Sequence, residues 1–265
     1  MIDIPPSLLT VIGIIVMLLL FVSLLLIFVL SQRKKLKYQQ QIQTIRETQQ
    51  NQLIEAAIRS EEIERHRIAE TLHDEIGAIL SSSKLHIQGI NTNRLDEKDK
   101  QVYEKGKQLL DEGIQKVRGI SHNLHSSILK EFGLNEALQH FMNTILQGTL
   151  IKRTVELDEN YTTQNPENDM SIYRMVQELI NNVLKYAHPS EIKLLSTYTN
   201  NQLEIIIAHN GNGLSQTQFE DYRYKKEGLG LKNIMNRIIL LKGSINFSKN
   251  GESIVTIRIP DKTIV

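Results

Sequence analysis

The sequence predicts an α plus α/β protein: an N-terminal transmembrane helix, a helical hairpin that pairs into a dimeric four-helix bundle, and a C-terminal α/β sandwich domain. Three observations predict it. Residues 8–30 run for 23 positions without a charge, enough to cross a hydrocarbon core of about 30 Å as a helix. Residues 61–130 carry apolar side chains at helical spacing in two runs parted by Asn91, Thr92 and Asn93. From Phe132 onward, helical patterns interleave with alternating strand patterns.

The span lacks the short apolar core, basic leader and small-residue cleavage site of a signal peptide. Arg33, Lys34, Lys35 and Lys37 follow it and only Asp3 precedes it, which predicts an outside amino terminus, a cytoplasmic remainder and a single-pass inner-membrane protein. The few residues before the span predict no extracellular sensory domain. Residues 31–60, rich in Gln, Glu, Lys and Arg, read as a helical, coiled-coil-like stalk. Residues 61–130 then form the hairpin. One helix carries Ile68, Leu72, Ile76 and Ile79 and runs to Ile90. A second spans 98–128 with Leu109, Leu110, Ile114, Val117, Ile120, Leu124 and Ile128 on one face. A lone hairpin cannot bury both stripes, so a homodimer is expected.

Residues 131–265 form the last domain. Gly133 breaks the chain before a helix over 135–147. Strands are expected at 150–157, 191–199, 203–209, 244–248 and 253–259, and Asn165 to Asp169 reads as the loop that caps a helix over 170–187. A net charge of +1 argues against direct nucleic-acid binding. The absence of cysteine excludes disulfides, thiolate metal sites and cysteine nucleophiles, so chemistry falls to His, Asp, Glu, Asn, Lys and backbone.

Two places carry that chemistry. His73 lies about 100° round the helix from Leu72, on the shoulder of the apolar seam. Asp74 beside it can hold one imidazole nitrogen as N–H, activate the other and accept the proton released. On the helix over 170–187, Ile172, Val176, Leu179, Ile180, Val183 and Ala187 face inward. Glu178, Asn182 and Lys185 share another side, suited to a hydrated Mg²⁺ and its phosphates. Two glycine-bearing turns follow. His209-Asn210-Gly211-Asn212-Gly213 ends a buried strand and allows close approach to a flat ligand. Gly228-Leu229-Gly230-Leu231 opens a helix whose first N–H groups can bind phosphate. The polar segment 214–227 between them reads as a mobile lid.

These blocks resemble a two-component sensor histidine kinase of the nitrate-sensor and DesK-like subfamily. Residues 64–74 match its phosphoacceptor pattern ER-x-RIA-x-x-LHD, and Gln177 to Ala187 resemble its N box. Residues 209–213 and 228–231 resemble its two glycine boxes. The resemblance implies a Bergerat-type ATP-binding domain that uses ATP and Mg²⁺, with Asn182 as the metal ligand and His73 as acceptor of the γ-phosphoryl group. Asp74 is then the base and Glu178 a further catalytic carboxylate. Lys185, His209, Asn210, Gly211, Gly213, Gly228, Leu229, Gly230 and Leu231 are the nucleotide contacts. The resemblance also implies a response-regulator partner with a helix-turn-helix output domain.

Two positions depart from the pattern. His209 stands where the first glycine box normally has Asp, so recognition of the adenine amino group loses its charge-assisted character. Ala78 stands where many members carry the glutamine that positions water for phosphatase action. Gly77, one turn past His73, is expected to admit the ATP domain. Two other readings compete: a non-catalytic membrane adaptor that dimerises with a true kinase, and an ATPase in which Glu178 activates water without a histidine acceptor.

Overall fold

The computed structural model describes residues 6–260 except 93–94, 125–126, 164 and 223–228; the side chains of 6–14, 16, 122–123, 229 and 250 also lie outside it. The chain divides into two compact units at Glu55 and Ala56. In the first, the described residues belong to helix α1 (Pro6–Thr71), whose apolar side chains from Met17 to Leu30 are exposed along every face. By length and composition this helix is able to cross a membrane, where lipid supplies the apolar surroundings that protein does not.

The second unit begins with residues 56–71 of α1 and continues through a π-helical turn (Leu72–Ile76), α2 (Gly77–Gln88) and α3 (Glu97–Leu124). The hairpin closes around buried Ala69 and Ile114. The Ser121 hydroxyl donates to the Ala69 carbonyl at 2.9 Å, and Lys84 pairs with Asp111 at 2.6 Å. Ile76, Ile79, Leu85, Leu109 and Ile120 remain exposed, so one hairpin buries only part of its apolar stripe. The expected break at Asn93 lies outside the described residues. So does the stretch in which the second helix was expected to pass residues 125 and 126; its described part ends at Leu124.

Helix α4 (Ser127–Ile145) is interrupted at Gly133, where φ is 82° and ψ is −177°. That positive φ is open to glycine at little cost, and it lets the chain turn between Leu129 and Leu134, both of which are buried. Then come β1 (Lys152–Glu156), α5 (Pro166–Asn182), a second π-helical turn (Val183–Ala187), β2 (Glu191–Thr199), β3 (Gln202–His209), α6 (Gln216–Tyr222), α7 (Leu229–Leu240), β4 (Ser244–Asn250) and β5 (Glu252–Pro260).

The five strands form one mixed sheet in the order β1-β2-β3-β5-β4, parallel between β1 and β2 and antiparallel elsewhere. Alternation decides which face is covered. Ile192 and Leu194, Leu203, Ile205 and Ile207, and Val255, Ile257 and Ile259 point to one side and are buried. Against them lie Leu138, Phe141 and Met142 of α4, Ile172, Met175, Val176, Leu179 and Ile180 of α5, and Ile234 and Ile238 of α7. The result is a two-layer α/β sandwich whose core draws on residues from Leu129 onward.

The start of α5 is set by sequence. Pro166 sits at the first helical position, where its missing N–H is no loss, and the Asn165 side chain accepts from the N–H groups of Glu167 at 2.8 Å and Asn168 at 3.3 Å. Asn165→Ala removes this cap and is expected to lower the stability of the sandwich by about 1 kcal/mol, read as a shift in the denaturant midpoint at unchanged slope.

Candidate functional site

The first cluster sits on the π-helical turn of the hairpin. The Gly77 N–H donates to the Leu72 carbonyl, five residues back. This inserts one residue into the helical register, a distortion found most often at functional sites. His73 and Asp74 lie within the inserted turn with side chains 73% and 74% exposed, and His73 Nδ1 is 2.9 Å from Asp74 Oδ1. With Asp74 ionised, Nδ1 is the protonated nitrogen and Nε2 carries the lone pair. A methyl group built on Gly77 would meet the Leu72 carbonyl at 3.5 Å, an ordinary contact, so the chain's own packing does not demand glycine there.

The second cluster is built on α5 and its π-helical extension. One face of α5 is consumed by the sheet, which turns Glu178 and Asn182 toward the edge of the sandwich. Asn182 Nδ2 donates to Glu178 Oε1 at 3.3 Å, leaving the amide oxygen for a cation. Gly230, on the first turn of α7, abuts the same carboxylate: a Cβ there would stand 1.9 Å from Glu178 Oε1. Lys185 is exposed, with its ammonium 5.0 Å from the Tyr186 ring centroid. Its pKa is raised, chiefly by its interaction with Tyr186, against the opposing effect of burial and with a lesser contribution from the Glu178 charge. Among the described residues no group of three His, Cys, Asp or Glu could hold a metal ion, so a cation here would rely on Asn182 and on oxygens brought by its ligand.

The first glycine turn is clasped between the end of the α5 extension and β5. The Asn212 N–H donates to the Ala187 carbonyl at 2.9 Å, and a Cβ on Gly211 would lie 2.3 Å from that oxygen. A Cβ on Gly213 would lie 2.2 Å from the Ser253 hydroxyl oxygen, which itself donates to the Gly211 carbonyl at 3.2 Å. Both glycines are thus required by close approach. Asn210 ties the turn to the start of β2. Its oxygen accepts from the N–H groups of Ser190 at 2.9 Å and Glu191 at 3.1 Å, and its amide nitrogen donates to the Ser190 hydroxyl at 2.8 Å.

His209 ends β3 opposite Ile192 and Ser253. It is 4% exposed, and Nδ1 is buried without a hydrogen-bond partner among the described residues. Burial pushes its pKa below the ordinary value of 6.5, so the folded ring stays neutral.

Gly228 lies outside the described residues, as do residues 223–227 of the segment read as a lid. Leu229 opens α7 and Leu231 packs half-buried against the core. The described part of the lid segment differs from expectation. Residues Gln216–Tyr222 form α6, and Phe219 is buried in stacked contact with Phe247 at 4.5 Å between ring centroids. One aromatic anchor outweighs the polar composition around it.

Sequence reasoning passed over a third cluster. Arg174 and Arg237 sit within the buried helices at 6% and 3% exposure and pair with Glu61 and Glu62 of α1. A charge inside an otherwise apolar stripe, as at Arg237 between Ile234 and Ile238, was the available signal.

Residues 64–129 match the family model described as histidine kinase, and residues 167–263 match the one described as histidine kinase-, DNA gyrase B-, and HSP90-like ATPase. The chain belongs to the histidine kinase family. The His73 turn falls in the first match, and both glycine turns with Glu178 and Asn182 fall in the second. Sensor histidine kinase MctS of Rhizobium johnstonii is 26% identical over 206 residues, covering 76% of this chain and 44% of the relative, so the chain spans less than half of that relative's length. Solved structures of histidine kinases are among those similar to this chain. The kinase domain of the blue-light activated histidine kinase from Erythrobacter litoralis has 18% identity over 71% of this chain and 94% of that one, with a TM-score of 0.45. Histidine kinase AdeS from Acinetobacter baumannii has 20% identity over 73% and 98%, with a TM-score of 0.42.

The buried neutral His209 makes a pH prediction. Its folded pKa lies below 6.5, so as pH falls through 6.5 the unfolded chain takes up a proton that the folded chain resists, and stability is lost until the folded pKa is reached. His209→Asn is expected to flatten this acid limb, seen as a stability difference from wild type that shifts in favour of the variant below pH 6.5, by chemical denaturation across pH.

Proposed function

We propose that this histidine kinase is a membrane-anchored sensor kinase that phosphorylates His73 from ATP and passes the phosphoryl group to an aspartate of a response regulator. The reading assigns 8–30 to the membrane span, 31–60 to a stalk, 61–130 to dimerisation and phosphotransfer, and 131–265 to ATP binding. The observation that carries it is the exposed His73–Asp74 pair at 2.9 Å, in a chain whose last domain gathers Glu178, Asn182 and Gly230 at one edge.

In this reading the Nε2 lone pair of His73 attacks the γ-phosphorus, the bond to the leaving ADP oxygen breaks, and the Nδ1 proton passes to Asp74. Bound Mg²⁺ would supply charge neutralisation on the phosphates. Asn182 would hold it through its amide oxygen, and Lys185 would face the phosphates as a point charge. Glu178 orients Asn182 and packs against Gly230, at the start of α7 where phosphate oxygens find unpaired N–H groups. His209 offers its Nδ1 as acceptor for the adenine amino group, a fit supported by the lack of another partner for that atom among the described residues. In this reading the second glycine turn, Gly228 to Leu231, is a further phosphate contact. The exposed stripe of Ile76, Ile79, Leu85 and Leu109 supports a homodimer. The basic residues after the span support an outside amino terminus. Any output on DNA belongs to the regulator's helix-turn-helix domain.

Incubation of the full chain in detergent micelles with γ-labelled ATP and Mg²⁺ tests the proposal. Acid-labile label is expected on wild type and absent from His73→Gln; no label on wild type, or equal label on both, overturns it. His209→Asp is expected to tighten nucleotide binding roughly tenfold by restoring a charged acceptor, measured with a fluorescent ATP analogue.

A further inference from the structure

The polar side chains around the first glycine turn are spent in different ways. Asn210 gives its amide to Ser190 and Glu191, and the Ser253 hydroxyl donates to the Gly211 carbonyl. Both hold the turn to its neighbours. His209 does not: its Nδ1 is buried with no hydrogen-bond partner among the described residues.

Strand alternation gives the direction of that ring. Leu203, Ile205 and Ile207 precede His209 at every second residue and are buried on the face of the sheet that the helices cover, so His209 points to the same face. Its cross-strand neighbours, Ile192 on β2 and Ser253 on β5, are buried as well. An imidazole therefore ends an otherwise apolar row of β3, directly before the turn that carries Gly211 and Gly213. A buried polar atom left unpaired costs stability. A ligand that pairs Nδ1 removes that cost.

What a neutral imidazole is able to read differs from what a carboxylate reads. An ionised carboxylate only accepts hydrogen bonds, so it favours an amino group and repels a carbonyl oxygen. A neutral imidazole has one N–H and one lone pair, and either nitrogen holds the proton. Burial keeps the His209 ring neutral, and no partner of Nδ1 among the described residues selects the tautomer. With the proton on Nε2, Nδ1 accepts from the exocyclic amino group of adenine. With the proton on Nδ1, the same atom donates to a carbonyl oxygen at that position of the base. Discrimination by hydrogen bonding works by leaving a buried group unpaired against the wrong ligand. A group that pairs with either ligand leaves nothing unpaired.

Resting on the kinase reading above, which sets the base against His209, we propose that His209 makes the nucleotide site tolerant of the purine edge: alongside ATP it takes nucleoside triphosphates whose purine carries a carbonyl in place of adenine's amino group. His209 is then the residue that sets how strictly the phosphoryl donor is chosen, and the choice is looser than a carboxylate would make it.

The test compares ATP with inosine triphosphate, which carries that carbonyl and lacks the additional amino group of guanine. Each nucleotide, with Mg²⁺, displaces a fluorescent ATP analogue from the full chain in detergent micelles, and acid-labile label on His73 is followed from the γ-labelled form of each. In wild type the two affinities are expected within roughly tenfold of each other, with label from both. His209→Asp presents acceptors only and is expected to widen the preference for ATP by roughly tenfold or more. His209→Asn, whose amide turns to present its oxygen or its N–H groups, is expected to keep the ratio near that of wild type. Inosine triphosphate binding more than roughly tenfold weaker than ATP in wild type overturns the proposal, whether or not the buried carboxylate of His209→Asp lets that variant fold. So does a ratio in folded His209→Asp no wider than in wild type. Similar affinity for both nucleotides with no label from either overturns the kinase reading and leaves the tolerance of the site standing. Binding of neither overturns both.

Discussion

The packing of α5 onto the sheet is the constraint from which the rest of the second unit follows. Ile172, Met175, Val176, Leu179, Ile180 and Val183 are buried against β2, β3 and β5, and that burial fixes the rotation of the helix. At about 100° per residue, the remaining surface divides between two edges. Glu178 and Asn182 come out toward Gly230 and the glycine turns, and Arg174 and Gln177 come out toward α1 and α3. A single apolar face thus decides where the proposed nucleotide chemistry and the contact with the acceptor hairpin lie. Rotating α5 by one residue would misplace both.

The turns around α5 are governed by how near the chain must come to its neighbours. Gly211 touches the Ala187 backbone and Gly213 the Ser253 side chain at distances a Cβ would not allow, and a Cβ at Gly230 would displace the Glu178 carboxylate. Asn210 spends its whole amide on holding Ser190 and Glu191. The first glycine turn is therefore held in place by the protein's own contacts. The two π-helical turns sit at the two chemically loaded places, one beneath His73 and Asp74 and one carrying Lys185. In each, one additional residue per turn re-aims side chains that an α-helix would have placed elsewhere.

Much of this was legible in the residues. The apolar period of α5 and α7 and the alternation of β2, β3 and β5 follow from side-chain direction alone, and the structure carries them with boundaries moved by a few residues. The Asn165-Pro166 start and the Gly133 break were legible because each has a local cause. What was not legible is what depends on distant partners. Arg174 meets Glu62 across 112 positions, and Arg237 meets Glu61 across 176. A periodicity reading assigns such arginines to solvent, because nothing nearby in the chain says that their counter-charges are waiting on another helix. Phe219 misled in the opposite sense, a single anchor inside a polar stretch that reads as mobile. The π-helical turns leave no trace of composition, since they change the hydrogen-bond partner and not the residue.

The arginine pairs also show how a buried charge contact differs from an apolar one. An apolar seam of the same extent would gain free energy with every Å² covered and would hold the two domains together whatever the helices did. Ion pairs in a low-dielectric setting are steeply dependent on geometry, because the hydration surrendered on docking is recovered only when partners align. Arg237, depressed in pKa first by burial and supported by Glu61 and Glu62, keeps one nitrogen without a partner among the described residues. A small displacement of α1 removes alignment from several hydrogen bonds at once while water stands ready to replace them.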